Sequence, residues 1–73
     1  MARHELVSSV TGVVFELGAK VGDMVAQGDP IVVVESMKME IPIAALTGGR
    51  IAAIMVEAGQ PVDEGQVVAI LES

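Results

Sequence analysis

The residue best placed for chemistry is Lys38, which lies between Met37 and Met39 in the segment Glu35-Ser36-Met37-Lys38-Met39-Glu40. The segment follows the apolar run Ile31-Val32-Val33-Val34, which reads as a buried strand. The stretch Glu40-Ile41-Pro42-Ile43 can begin the next strand. Lys38 then stands at the tip of a hairpin, held out from a rigid sheet, where another enzyme can modify its amine. A two-residue hairpin centred on Met37-Lys38 calls for a primed turn with φ > 0 at both positions. Neither residue is Gly, Asn or Asp, so strain of about 1–3 kcal/mol per residue is expected, enforced by the flanking strands. The two methionines offer soft, adaptable apolar contacts to an enzyme pocket or to an attached group. The plain alternative is a solvated turn lysine with no chemistry.

Other candidates are weaker. Lys20 is the only other lysine; it lacks methionine flanks and reads as solvated surface. His4 is the sole histidine and lies among the first few residues, which commonly fray. Glu57, Asp63, Glu64 and Glu72 are spread out, without His or Cys company, so neither a metal site nor a catalytic carboxylate pair has support. No phosphate-binding loop, nucleophile elbow or dinucleotide fingerprint is present. The chain reads as a substrate for other enzymes rather than as a catalyst.

A rigid scaffold must hold that lysine out. With 73 residues, the chain is expected to form one small domain, and it contains no Cys to staple it. Apolar residues make up 52% of the chain, yet Phe15 is the only aromatic, so the core must be built from Val, Ile, Leu, Met and Ala. Val and Ile favour strands because branching at Cβ suits a pleated surface. Eight Gly and three Pro supply turns. These features point to a compact all-β fold. The net charge of −6, with four Lys and Arg, provides no basic patch for nucleic acid or a membrane surface. The longest apolar stretch, Ile51 to Val56, is far short of the ~20 residues of a spanning helix. The charged start lacks the apolar centre of a signal peptide. The chain therefore reads as cytosolic, or as a matrix protein whose targeting segment is missing.

The sequence is also written twice. Displaced by 37 positions without gaps, Gly12 falls on Gly49, Gly22 on Gly59, Val25 on Val62, Gly28 on Gly65, and Glu35-Ser36 on Glu72-Ser73. Each copy, 12–36 and 49–73, reads as strand, turn, short extended piece, turn, strand. The turns are Val21-Gly22-Asp23 and Gln27-Gly28-Asp29-Pro30 in the first copy, Ala58-Gly59-Gln60 and Glu64-Gly65-Gln66 in the second. Arg50 to Glu57 could be drawn as a short helix from its alanines. Its partner Val13-Val14-Phe15-Glu16-Leu17 has strand composition, which favours a strand. Two such halves predict two facing sheets related by a pseudo-two-fold axis. The counterpart of the lysine hairpin is then the place where the chain terminates.

Two quasi-symmetric halves with a Ser-Met-Lys-Met hairpin between them resemble the biotinyl/lipoyl attachment family. The likeness runs from about Leu6 to Leu71 and implies a flattened β-barrel or sandwich of two antiparallel sheets. On this likeness, residues 1–73 form one free-standing biotinyl domain of the biotin carboxyl carrier type. Lys38 then carries covalent biotin, Met37 and Met39 are the flanking recognition residues, and Glu35 is a contact for the modifying ligase. The implied partners are a biotin protein ligase, a biotin carboxylase and a carboxyltransferase. Lipoyl domains typically have Asp before the lysine and Ala or Val after it, so Met at both places favours biotin over lipoate. Two alternatives stay open: a lipoyl carrier, and an unmodified adaptor module of the same fold.

Overall fold

A computed structural model describes residues 2–73. It contains eight strands: β1 Arg3–Val7, β2 Gly12–Leu17, β3 Met24–Val25, β4 Pro30–Ser36, β5 Met39–Ala44, β6 Gly49–Ile54, β7 Pro61–Val62 and β8 Val67–Glu72. All pairings are antiparallel and form two four-stranded sheets, ordered β1-β8-β6-β3 and β5-β4-β2-β7. The alternation of buried and exposed residues faces the two sheets onto one core of Leu6, Val14, Ile31, Val32, Val34, Ile43, Ala45, Ile51, Val56, Val62, Val68, Ala69 and Leu71. The all-β sandwich expected from the sequence is the observed architecture.

The repeat governs the backbone in detail. The strands β2 and β6, β3 and β7, and β4 and β8 begin 37 residues apart. Gly22 N donates to Ile51 O at 2.8 Å, and its counterpart Gly59 N donates to Val14 O at 2.7 Å. Both glycines have φ near 90°, at +95° and +89°, a conformation open to a residue without Cβ. The side chain of Asp23 accepts from Lys20 N at 3.0 Å; in the second copy the amide oxygen of Gln60 accepts from Glu57 N at 3.1 Å. Gly12 and Gly49 serve another purpose: a Cβ on either would strike the backbone oxygen of Glu35 or Glu72 on the adjacent strand.

The structure departs from the sequence reading in three ways. The halves do not each make one sheet. The turn at Lys20–Asp23 carries β3 over to pair with β6, and β7 pairs with β2 in return. Each half therefore completes the hydrogen-bond ladder of the other. Second, the N-terminal residues form an ordered edge strand: Arg3 to Val7 pair along β8, and His4 Nε2 lies 2.9 Å from Ser73 Oγ. Backbone pairing with a strand sixty or more residues away overrides the tendency of termini to fray. Third, no methionine among the described residues enters the core. Met24, Met37, Met39 and Met55 are all exposed, because branched aliphatics already fill the space between the sheets.

Candidate functional site

The site grows out of β4 and β5. The run Ile31 to Val34 enters the core with Ile31, Val32 and Val34 fully buried, which fixes the register of β4. The ladder to β5 continues through Val34 opposite Ile41, Glu35 opposite Glu40 and Ser36 opposite Met39. This last pair leaves two residues, Met37 and Lys38, to make the turn. Their φ values are +52° and +66°. Both are left-handed, as the two-residue hairpin demanded, and neither is a residue that enters this region freely.

The base of the turn is tied down. Ser36 Oγ donates to Thr11 O at 2.9 Å, joining the end of β4 to the segment before β2. The Thr11 hydroxyl in turn accepts from Glu64 N at 2.9 Å. Three separated segments thus converge beneath the hairpin. The strained turn is held by the ladder on one side and by this junction on the other.

The displayed side chains match this support. Lys38 is exposed, Met37 is 93% exposed and Met39 64%. Among the described residues Lys38 forms no ion pair, so its amine is not sequestered by a carboxylate of its own chain. The arrangement offers one primary amine on a rigid, projecting turn with a thioether on either side. That geometry leaves the amine open to approach by another molecule.

The structure brings Glu35, Met37, Lys38 and Met39 together on one hairpin and leaves Lys20 elsewhere, exposed at the turn between β2 and β3. It also shows what the sequence reading passed over. Glu40 faces Glu35 across the ladder. Val13 pairs with Glu35 from the other side. Phe15, the only aromatic residue, is 47% exposed rather than buried. The available signal was the 37-residue displacement itself, which sets Val13 against Arg50 and Phe15 against Ala52.

Comparison with known proteins agrees with this geometry. The family model described as "Biotin-requiring enzyme" matches residues 4–71. The chain is 38% identical over 69 residues to the "Biotinylated protein TB7.3 homolog" of Mycobacterium leprae, covering 94% of this chain and 92% of that protein. It is 40% identical over 67 residues to the mitochondrial propionyl-CoA carboxylase alpha chain of Mus musculus, covering 92% of this chain but 9% of that one. The crystal structure of Kluyveromyces lactis urea carboxylase superposes with a TM-score of 0.93 at 32% identity, covering 99% of this chain and 6% of that chain. The chain thus spans nearly all of the first relative and a small fraction of the two carboxylases.

Proposed function

The chain belongs to the biotin/lipoyl attachment family, as a biotin carboxyl carrier domain, and from that premise we propose that Lys38 is its biotin attachment residue. The observation that carries the proposal is the Met37-Lys38 turn. Both residues are held at positive φ by a ladder whose register is unbroken from Val32–Ile43 to Ser36–Met39, and the amine projects from it. Attachment fits this site because it needs an accessible amine and no cavity. A biotin protein ligase supplies biotin activated as its adenylate. Lys38 Nζ, once deprotonated, attacks the activated carbonyl carbon, the amide bond forms and AMP leaves. Met37 and Met39 provide apolar contacts that let the ligase read the hairpin.

Once attached, biotin supplies a ureido nitrogen that accepts and releases a carboxyl group. The chain itself performs no bond-making step. It holds the attachment point rigid, and the lysine side chain adds a flexible arm. Such tethering gives an effective concentration of about mM at the partner sites without tight binding. The partners in this reading are a biotin carboxylase that loads the group and a carboxyltransferase that removes it. Weak docking lets one carrier serve both in turn. The setting is the cytosol or an organelle matrix.

Intact-mass measurement on protein from its native source tests the reading. A single added biotin that maps to Lys38 supports it. A lipoyl adduct, or an unmodified chain in cells that biotinylate other carriers, contradicts it.

A further inference from the structure

The oxidisable side chains of this protein are of one kind. It contains no Cys, Trp or Tyr, so the thioethers of its five methionines are the groups that a mild oxidant reaches first. None of the four described methionines packs in the core, which is built from Val, Ile, Leu and Ala. Met37 is 93% exposed, Met24 75%, Met39 64% and Met55 57%. Oxidation of a buried methionine disrupts a fold, because a polar sulfoxide is costly in an apolar core. Here sulfoxides at all four positions face water, and the sandwich keeps its packing.

The four thioethers differ in what surrounds them. Met24, in β3, and Met55, just after β6, belong to the sheet that lacks the hairpin. Met37 shares the turn with Lys38, and Met39 opens β5 directly after it. An enzyme that engages the Lys38 amine therefore meets a thioether on either side of it. Oxidation converts each of these from a flexible apolar contact into a polar, chiral one. The fold is indifferent to that change, whereas recognition of the lysine is not.

Resting on the assignment of Lys38 and its methionine flanks above, we infer that Met37 and Met39 form a reversible oxidation site that controls the loading of Lys38. The oxidant is a peroxide. A lone pair on the methionine sulfur attacks one peroxide oxygen. The S–O bond forms as the O–O bond breaks, and the displaced hydroxide takes up the released proton and leaves as water. Sulfur loses two electrons and the peroxide gains them. Sulfoxide reductases, drawing two electrons from thiols, restore the thioether and release water, with one enzyme for each sulfoxide epimer. The reduced chain is loaded with biotin. The oxidised chain stays folded and is a poor substrate for the ligase. Met37, the more exposed of the pair, oxidises first.

In the test, the unmodified full chain is treated with hydrogen peroxide, freed of it, and mapped by peptide mass. It is then biotinylated by a biotin protein ligase with biotin and ATP. The parent is compared with M24L/M55L, which keeps the hairpin thioethers, and with M37L/M39L, which lacks them. Mapping finds sulfoxide at Met37 and Met39, with Met37 ahead, and the melting temperature of the parent is unchanged. The KM of the parent and of M24L/M55L for the ligase rises about tenfold on oxidation and returns after treatment with both reductases. M37L/M39L, judged against its own untreated rate, does not respond to peroxide. A parent that carries sulfoxide at both positions and is labelled with the KM of the untreated chain overturns the switch. So does M37L/M39L slowed by peroxide as much as the parent, or a loss of labelling that accompanies a fallen melting temperature. Each of these leaves Lys38 as the attachment residue. An untreated parent that is not labelled at Lys38 overturns the attachment assignment and the switch with it.

Discussion

Glu35 and Glu40 face each other across β4 and β5, one rung below the turn that lifts Lys38. Their counterparts in the other sheet are Glu72 and Arg3, an opposite-charge pair. A backbone repeated so closely, with its charges arranged so differently, separates what the fold needs from what the site needs. The fold is served by either arrangement. The hairpin end alone carries the uncompensated one.

The Met37-Lys38 turn stores strain that can be relieved without touching the lysine. Met37→Asn places a residue that tolerates the left-handed region at φ +52°. Stability is expected to rise by about 0.5–1 kcal/mol in denaturant melts, while the ligase rate falls because a thioether contact is lost. Unchanged stability and rate would show that neither strain nor the methionine matters.

The flanking residues are expected to steer the choice of cofactor. Met37→Asp with Met39→Ala brings the hairpin towards the lipoyl pattern. Biotinylation should slow, and a lipoyl ligase should accept the variant better than the parent. Equal rates with both ligases for parent and variant would mean that the methionines are not read.

Gly22 and Gly59 probe the symmetry. Each is at positive φ, and a Cβ added at either meets nothing within 4 Å, so only backbone strain is at stake. Gly22→Val and Gly59→Val should therefore each destabilise the protein by about 1–2 kcal/mol and by similar amounts. Gly12→Ala and Gly49→Ala should act by a different route, collision with the neighbouring strand, at about 1–3 kcal/mol or more. Chemical denaturation of the four variants measures all of these; neutral effects at Gly22 and Gly59 would remove the conformational argument.

The exchange of β3 and β7 makes the two halves interdependent. A fragment of residues 1–36 lacks β6 and β8, so β3 and β1 have no partner strand. Circular dichroism should find it unfolded. A fragment that folds alone would contradict the mutual completion of the two ladders.

Much of this was legible in the sequence because the signals were local. Turn glycines, branched apolar runs and the Met-Lys-Met block each act within a few residues, and the repeat multiplied their weight. The hairpin geometry followed from counting the residues between β4 and β5. What escaped was non-local. Arg3 to Val7 carry no strong strand composition and become a strand because β8 lies alongside. The destination of β3 and β7 depends on which sheet edge is open, which no local pattern encodes. Phe15 is outside because side chains alternate along β2 and Val14 takes the inward position between the sheets. Composition alone suggested that methionine would serve the core; packing by Val, Ile and Leu left no place for it.

The central claim is that Lys38 alone receives biotin. Its most direct test is intact-mass analysis after incubation with biotin protein ligase, biotin and ATP, on the parent, Lys38→Arg and Lys20→Arg. The account predicts one biotin on the parent and on Lys20→Arg, and none on a folded Lys38→Arg. Labelling that persists in Lys38→Arg, or is lost in Lys20→Arg, would contradict it.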